Sequence, residues 1–169
     1  MSVVVMGAAP AIGQEPLDGP HRIFQDELLD NLVGNWKPTG EMMGRPFEQD
    51  CRAGWLLNHQ LLRLHDKDAQ VSAAGKPPYE AMMLIGRDNT SERYVVHLLD
   101  IFGGRASEPL GSSTRSKNSI QFRFEYPDGP FHNTFTGNPD TKTWNSLLEQ
   151  KDKTGKCAVF ADKRLRRSE

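Results

Sequence analysis

The residue types best suited to bind a metal or to act as an acid or base are few and scattered. The sequence contains five histidines, and none lies in an H-E-x-x-H motif or at a Cys/His spacing that defines a metal site. They are His21, His59, His65, His97 and His132. Because an isolated strand histidine usually makes a structural hydrogen bond, we predict no metal site. His59, His97 and His132 remain candidates for polar groups that face an internal cavity.

Motifs for nucleophilic catalysis and phosphate binding are absent from the sequence. Cys51 and Cys157 show no C-x-x-C spacing, and no G-x-S-x-G occurs. Both cysteines alternate with apolar or small residues, which predicts small buried side chains. Gly103-Gly104 lacks the lysine and hydroxyl residue of a phosphate-binding loop. We therefore predict no catalytic residue and no cofactor.

An amphipathic segment precedes the rest of the chain and predicts one helix. Phe24, Leu28 and Leu32 recur at every fourth residue, so their side chains share one helical face. Gly34 predicts the end of this helix, because glycine takes left-handed backbone conformations with little strain. Trp36, two residues later, is a large apolar side chain suited to fill one end of a barrel.

From residue 35 onward the sequence reads as short strands separated by turns. The segment from Ser119 to Tyr126 is the clearest, since Ile120, Phe122 and Phe124 alternate with polar residues. About ten such segments with tight turns predict sequential antiparallel strands, which close more readily than they leave two exposed edges. The predicted fold is therefore all-β, a single closed antiparallel up-and-down β-barrel of about ten strands with one N-terminal helix.

Length and composition favour a single domain with no strong electrostatic partner. The chain has 169 residues and a formal net charge of -1, which predicts no nucleic-acid binding, and no apolar run is long enough to span a membrane as a helix. Residues 1–19 are predicted to be a leader or disordered tail, and residues 20–169 to be the barrel domain. Ala9-Pro10-Ala11 resembles a signal-peptidase site but lacks a charged segment before it. An exported, periplasmic location and a cytoplasmic one both stay open, as does a homodimer.

The order of elements resembles the calycin superfamily, which includes lipocalins, nitrobindins and fatty-acid-binding proteins. The resemblance rests on Gly34-x-Trp36, the preceding helix, the meandering strands and the basic end of the last strand. Three short segments, at residues 79–88, 99–102 and 149–152, are most similar to a bacterial family of uncharacterised lipocalin-like proteins. The resemblance covers residues 28–166.

Two expectations follow from this resemblance. In lipocalin-like barrels a terminal arginine packs over the tryptophan, which assigns barrel closure to Gly34, Trp36 and either Arg164 or Arg166. A solvated basic tail is the alternative for these arginines, and a nucleic-acid patch is disfavoured because no second basic cluster accompanies it. Haem-binding nitrobindins carry a histidine near the end of the barrel sequence, but residues 156–165 contain none. Haem is therefore disfavoured.

The remaining candidate site is the interior of the barrel, which can hold one small ligand. The inward strand faces predict its lining, and three polar residues are predicted to join them: Tyr79, Met83, Phe122, Phe124, Tyr126, Phe131, Asn133, Phe135, His59, Arg63 and His97. We predict a protein that binds or carries a small hydrophobic or amphipathic molecule. The alternatives are an isomerase or hydrolase that uses a lumen histidine, a haem-binding nitrobindin-like protein, and a partner-binding module with a solid core.

Overall fold

The structure is a computed structural model that describes residues 23–70, 77–88, 91–107, 109–152 and 154–168. The predicted tail, residues 1–19, and His21 lie outside the described residues. The elements are, in chain order, α1 (Glu27–Leu32), β1 (Gly34–Met42), β2 (Arg45–Leu56), β3 (Leu61–Asp68), β4 (Glu80–Arg87), β5 (Tyr94–Asp100), α2 (Gly104–Ser107), β6 (Gly111–Arg115), β7 (Ser119–Tyr126), β8 (Gly129–Asn138), β9 (Thr143–Lys151) and β10 (Cys157–Arg167).

The ten strands form one closed antiparallel barrel. Each strand pairs with the next along the chain, and β1 pairs with β10 to complete the circle. Across this seam Trp36 lies opposite Arg167 and Pro38 lies opposite Leu165. The predicted fold class is confirmed. One addition is α2, a single helical turn that follows Gly103.

The two ends of the barrel differ because α1 covers only one of them. The plugged end carries α1 and the turns that follow the even-numbered strands β2, β4, β6 and β8. The open end carries the turns that follow the odd-numbered strands. Met43, Ile101, Phe102 and Val159 near these turns are exposed large apolar side chains. The open end is therefore an apolar rim.

The helix α1 is the plug of this end, and its N-terminus is capped. The Asp26 carboxylate accepts hydrogen bonds from the backbone N–H groups of Leu28 at 2.8 Å and Leu29 at 3.1 Å, which satisfies two donors that a helix start leaves unpaired. Because Asp26 is the cap, the helix begins at Glu27 and Phe24 precedes it. Phe24 is nevertheless buried, with its ring centroid 5.4 Å from that of Trp55.

Apolar side chains fill the half of the barrel nearest the plug. Those on strands belong to the inward set of their strand, as the alternation of buried and exposed residues along β7 shows, and the others lie on α1. This core includes Leu28, Leu29, Leu32, Trp36, Leu62, Ile85, Val96, Ile120, Phe122, Phe124 and Trp144. Burial of large side chains such as these stabilises a fold by about 1.5–3 kcal/mol each. A solid core therefore occupies one end of the barrel only.

An irregularity in β10 reverses the orientation expected for its first residues. The pairing of β10 with β9 shifts register between Val159 and Ala161. Ala161 is buried, whereas Val159 is 61% exposed although the two share the same parity. An extra residue in one strand flips the faces on either side of it. The prediction that Cys157 is buried is therefore wrong: Cys157 is exposed, and Cys51 alone is buried.

Candidate functional site

The half of the barrel nearest the open end contains a cavity of about 430 Å³. This volume falls within the range of small-molecule sites in proteins. The floor of the cavity is mostly apolar, although Ser146 on β9 lies opposite Phe135. The apolar residues that form it lie on β1, β3, β4, β5, β8 and β10: Pro38, Leu64, Met83, Leu98, Phe135 and Leu165. Towards the rim the lining becomes aromatic and sulfur-containing, with Met42, Met43, Tyr79, Phe102, Tyr126, Phe131 and Phe160.

A buried ammonium group, that of Lys163, forms part of the wall of this cavity. Lys163 on β10 is 6% exposed. Its Nζ donates to Oε1 of Gln49 on β2 at 3.0 Å and to Oδ2 of Asp66 on β3 at 3.1 Å. A buried lysine requires such partners, because an unpaired charge loses its hydration without compensation. The three residues tie β10 to β2 and β3 across the interior.

The same polar chain continues towards the open end. Gln49 is fully buried, and its Nε2 donates to Oδ1 of Asp68 at 3.0 Å. The second carboxylate oxygen of Asp68 accepts the backbone N–H of Tyr79 at 3.1 Å. Both ends of the Gln49 amide therefore have partners, and the cluster is defined as Asp66, Lys163, Gln49 and Asp68.

Cys51 lies beside this cluster but is a poor nucleophile. Burial is the largest cause that raises the pKa of its thiol far above the usual range, and the carboxylate of Asp66 raises it further. A thiol reacts through its thiolate form. At neutral pH Cys51 is therefore an inert, protonated side chain.

A second acidic group, Asp100, faces the cavity at the end of β5. Its Oδ1 accepts the backbone N–H of Phe102 at 2.9 Å. Burial and then the charge of Asp100 raise the pKa of the Tyr126 phenol, and the same two causes lead the upward shift of Tyr79. Asp100 is therefore close enough to both phenols to interact with them electrostatically, and both remain protonated at neutral pH.

Most of the lining residues predicted from the inward strand faces line this cavity. Those that line it are Tyr79, Met83, Tyr126, Phe131, Asn133 and Phe135. Asn133 accepts a hydrogen bond from Ser146 Oγ at 2.9 Å, so its amide oxygen is occupied. Phe122 and Phe124 point inward but belong to the solid core. Their role in ligand binding, like that of the other six, stays a prediction.

The three predicted polar residues lie elsewhere. The Nδ1 of His59 donates to the carbonyl oxygen of Phe24 at 2.7 Å at the plugged end. Arg63 is on β3 between Leu62 and Leu64, which are buried, so it faces outward. His97 is on the outer face of β5, where its Nε2 donates to the carbonyl oxygen of Ser107 at 2.6 Å. None of the three lines the cavity.

Sequence reasoning missed Lys163 and Asp66, although a signal for Lys163 was present. Lys163 alternates with Ala161 and Leu165, and these two are buried. The alternation places all three side chains on one face. The surrounding arginines instead favoured the interpretation of a solvated basic tail. Asp66 carries the same signal, since it alternates with the buried Leu62 and Leu64, but its polar neighbours Lys67 and Asp68 favoured the interpretation of a polar turn.

The arginine that closes the plugged end is Arg167. Its guanidinium carbon lies 4.4 Å from the centre of the Trp36 ring, and its Nη atoms donate to the carbonyl oxygens of Val33 at 3.1 Å and Asn31 at 3.3 Å. The assignment to Arg164 or Arg166 is wrong, because these two lie on the exposed side of β10. Gly34 makes room for the contact, since a Cβ there would come within 2.2 Å of an Arg167 Nη.

Two further observations concern metal binding and membrane-spanning helices. Across the residues that the structure places, no three side chains among histidine, cysteine, aspartate and glutamate come together as a metal-binding group. Within the same residues, no helix is long and apolar enough to cross a membrane.

The histidines His65 and His132 are on strand positions outside the cavity, and burial lowers the pKa of His132.

The comparison with solved structures supports the fold alone. The chain is similar to the crystal structure of Rv2717c from M. tuberculosis, with a TM-score of 0.53 and 13% sequence identity over 85% of this chain and 99% of that chain. No protein-family model and no curated protein matches the sequence. The class that fold and site define is therefore a closed ten-stranded β-barrel with an internal cavity.

Proposed function

We propose that the protein binds a small amphipathic molecule inside the open half of the barrel. One observation carries the proposal: a cavity of about 430 Å³ with an apolar floor lies beneath the exposed apolar rim. An apolar pocket with a few placed polar groups is the usual form of a small-molecule site. The rim residues Met43 and Phe102 also line the cavity, so the exposed apolar surface is continuous with the interior.

The proposal includes membership of the calycin superfamily. Gly34, Trp36 and an arginine of the last strand form the closure that lipocalin-like barrels use, and the arginine over the ring is Arg167. In such barrels the cavity is the functional site. The absence of haem, the absence of catalysis and a possible homodimer stay predictions.

The test uses N-phenylnaphthylamine, an uncharged dye whose fluorescence rises when it enters an apolar site. We expect saturable binding at one site per chain. In the variant Ala81→Trp an indole would occupy the cavity, because Ala81 is buried and lines it. This variant should lose dye binding. The matched control Ala158→Trp places the same indole at an exposed position of β10 and should bind as the original protein does.

Two outcomes would contradict the proposal. The first is no saturable fluorescence with the unsubstituted protein. The second is equal binding by Ala81→Trp and Ala158→Trp when both show the circular dichroism of the folded barrel, because the dye would then bind outside the lumen.

A further inference from the structure

The charges that line the cavity do not balance. Two carboxylates, Asp66 and Asp100, and one ammonium group, Lys163, are among the described lining residues. The ammonium of Lys163 is already shared between Asp66 and Gln49. Among the residues that the structure describes, no cationic side chain forms an ion pair with Asp100, and its carboxylate has one hydrogen bond, from the N–H of Phe102. The cavity therefore carries one negative charge that none of the described side chains neutralises.

Aromatic side chains line the same cavity as this carboxylate. The rings of Tyr79 and Phe102 are 6.1 Å apart between centroids, and Tyr126 packs edge to face against Phe131 at 6.0 Å. The electrostatic effect of Asp100 on both tyrosine phenols places the charge beside these rings. The faces of aromatic rings attract cations. The carboxylate and the aromatic rings at the open end therefore both favour a positively charged group.

The depth of the cavity separates the Asp100 carboxylate from the mostly apolar floor. Asp100 is the last residue of β5 and lies towards the open end, whereas Leu98 and Met83 lie opposite each other deeper in the barrel. An incoming anion would meet both Asp100 and Asp66, which lie opposite Ala81 on either side of β4, while the Lys163 ammonium is already engaged. An incoming cation would first meet Asp100, a carboxylate that has no ion pair among the described residues.

We infer that the ligand is an amphipathic cation, an amine whose ammonium group pairs with Asp100 beside Tyr79 and Tyr126 while its apolar part occupies the floor of the cavity. This inference rests on the proposed function and names the chemical class of the ligand. A carboxylate as the recognition group and an apolar floor as the second contact exclude small, fully polar amines from tight binding, because they would leave the floor uncovered.

The test measures displacement of bound N-phenylnaphthylamine at pH 7 by three molecules with the same chain and different head groups: octylamine, octanol and octanoate. At this pH the amine is protonated and the acid is ionised. We expect octylamine to displace the dye at about tenfold lower concentration than octanol, a factor that one partly desolvated ion pair supplies, and octanoate to be the weakest.

The variant Asp100→Asn removes the charge and keeps an oxygen that can accept the N–H of Phe102. It should lose the advantage of octylamine over octanol, while displacement by octanol itself stays unchanged and shows that the cavity is intact. The control Asp162→Asn makes the same charge change on the exposed face of β10 and should preserve the original order.

The outcomes separate this inference from the proposed function. If octanol displaces the dye but octylamine has no advantage, or keeps it in Asp100→Asn, the inference is overturned and the proposed function stands. If octanoate is the strongest competitor, the cavity selects anions and the inference is overturned. If the dye does not bind the unsubstituted protein, the proposed function fails and the inference fails with it.

Discussion

Arg167 lies directly opposite Trp36 across the seam of the barrel, with its guanidinium carbon 4.4 Å from the centre of the indole ring. The Nη atoms of the same side chain donate hydrogen bonds to the carbonyl oxygens of Val33 and Asn31 at the end of α1. One residue therefore links the last strand, the first strand and the plug.

The variant Arg167→Ala should lower the free energy of unfolding by about 1–2 kcal/mol, because it removes a cation over an indole face and two hydrogen bonds to helix carbonyls. Urea denaturation followed by Trp fluorescence measures this change. Arg166→Ala is the control, since Arg166 lies on the exposed face and should change stability by less than about 0.5 kcal/mol. Equal losses in the two variants would contradict the role of Arg167.

The variant Lys163→Met should cost about 3 kcal/mol, since it leaves Asp66 and Gln49 without their buried donor. The double variant Lys163→Met with Asp66→Leu should regain part of this loss, because no unpaired charge then remains. The control Lys37→Met removes the exposed pair with Asp50 at 2.6 Å and should cost less than about 1 kcal/mol. Chemical denaturation of all three measures the difference, and an equal cost for Lys163→Met and Lys37→Met would contradict it.

Asp26 should make the stability of the plug depend on pH. Burial acts to raise its pKa, but hydrogen bonds from Arg115, Tyr94 and the Leu29 N–H together outweigh burial and lower it below 3.8. A lowered pKa stabilises the folded state fully above the unfolded-state value of 3.8 and loses that contribution as the pH falls through the folded-state value.

The variant Asp26→Asn should therefore be less stable than the original protein at pH 7, by about 1–3 kcal/mol. The difference should shrink as the pH falls below 3.8. Thermal or urea unfolding over a pH series measures both. A constant difference at all pH values would show that the charge of Asp26 is not the cause.

The two cysteines should differ in reactivity. Iodoacetamide should modify Cys157 in the folded protein, because this residue is exposed. Cys51 should react only in denaturant, since it is 1% exposed and its thiol pKa is raised by burial and by Asp66. Intact mass spectrometry should show one adduct in the folded state and two in urea. Two adducts at similar rates under native conditions would contradict the burial of Cys51.

Alternation within one strand predicts orientation well when the strand has no irregularity. Ile120, Phe122 and Phe124 are all fully buried, as the alternating pattern of β7 indicates. The same reasoning failed for Cys157, because the register shift near Val159 leaves no clear mark in the sequence. A single extra residue reverses every side chain beyond it.

The polar part of the site was harder to predict than the apolar part. An apolar inward residue follows from its own strand, whereas Lys163 is buried only because β2 and β3 bring Gln49 and Asp66 to it. Whether a buried charge finds hydrogen-bonding partners depends on which strands face each other across the barrel. His59 and His97 lie outside the cavity because of where they stand, in the turn between β2 and β3 and on the outer face of β5, where they donate to the carbonyl oxygens of Phe24 and Ser107.

Closure of the barrel by β1 and β10 has a consequence for how the chain folds. The two strands are the first and last of the sheet, so their pairing has a long sequence separation and a high entropic cost of loop closure. During synthesis β1 exposes an unpaired edge until β10 leaves the ribosome, and unpaired edges promote aggregation. Folding of this barrel is therefore expected to be slow and to depend on the arrival of its last strand.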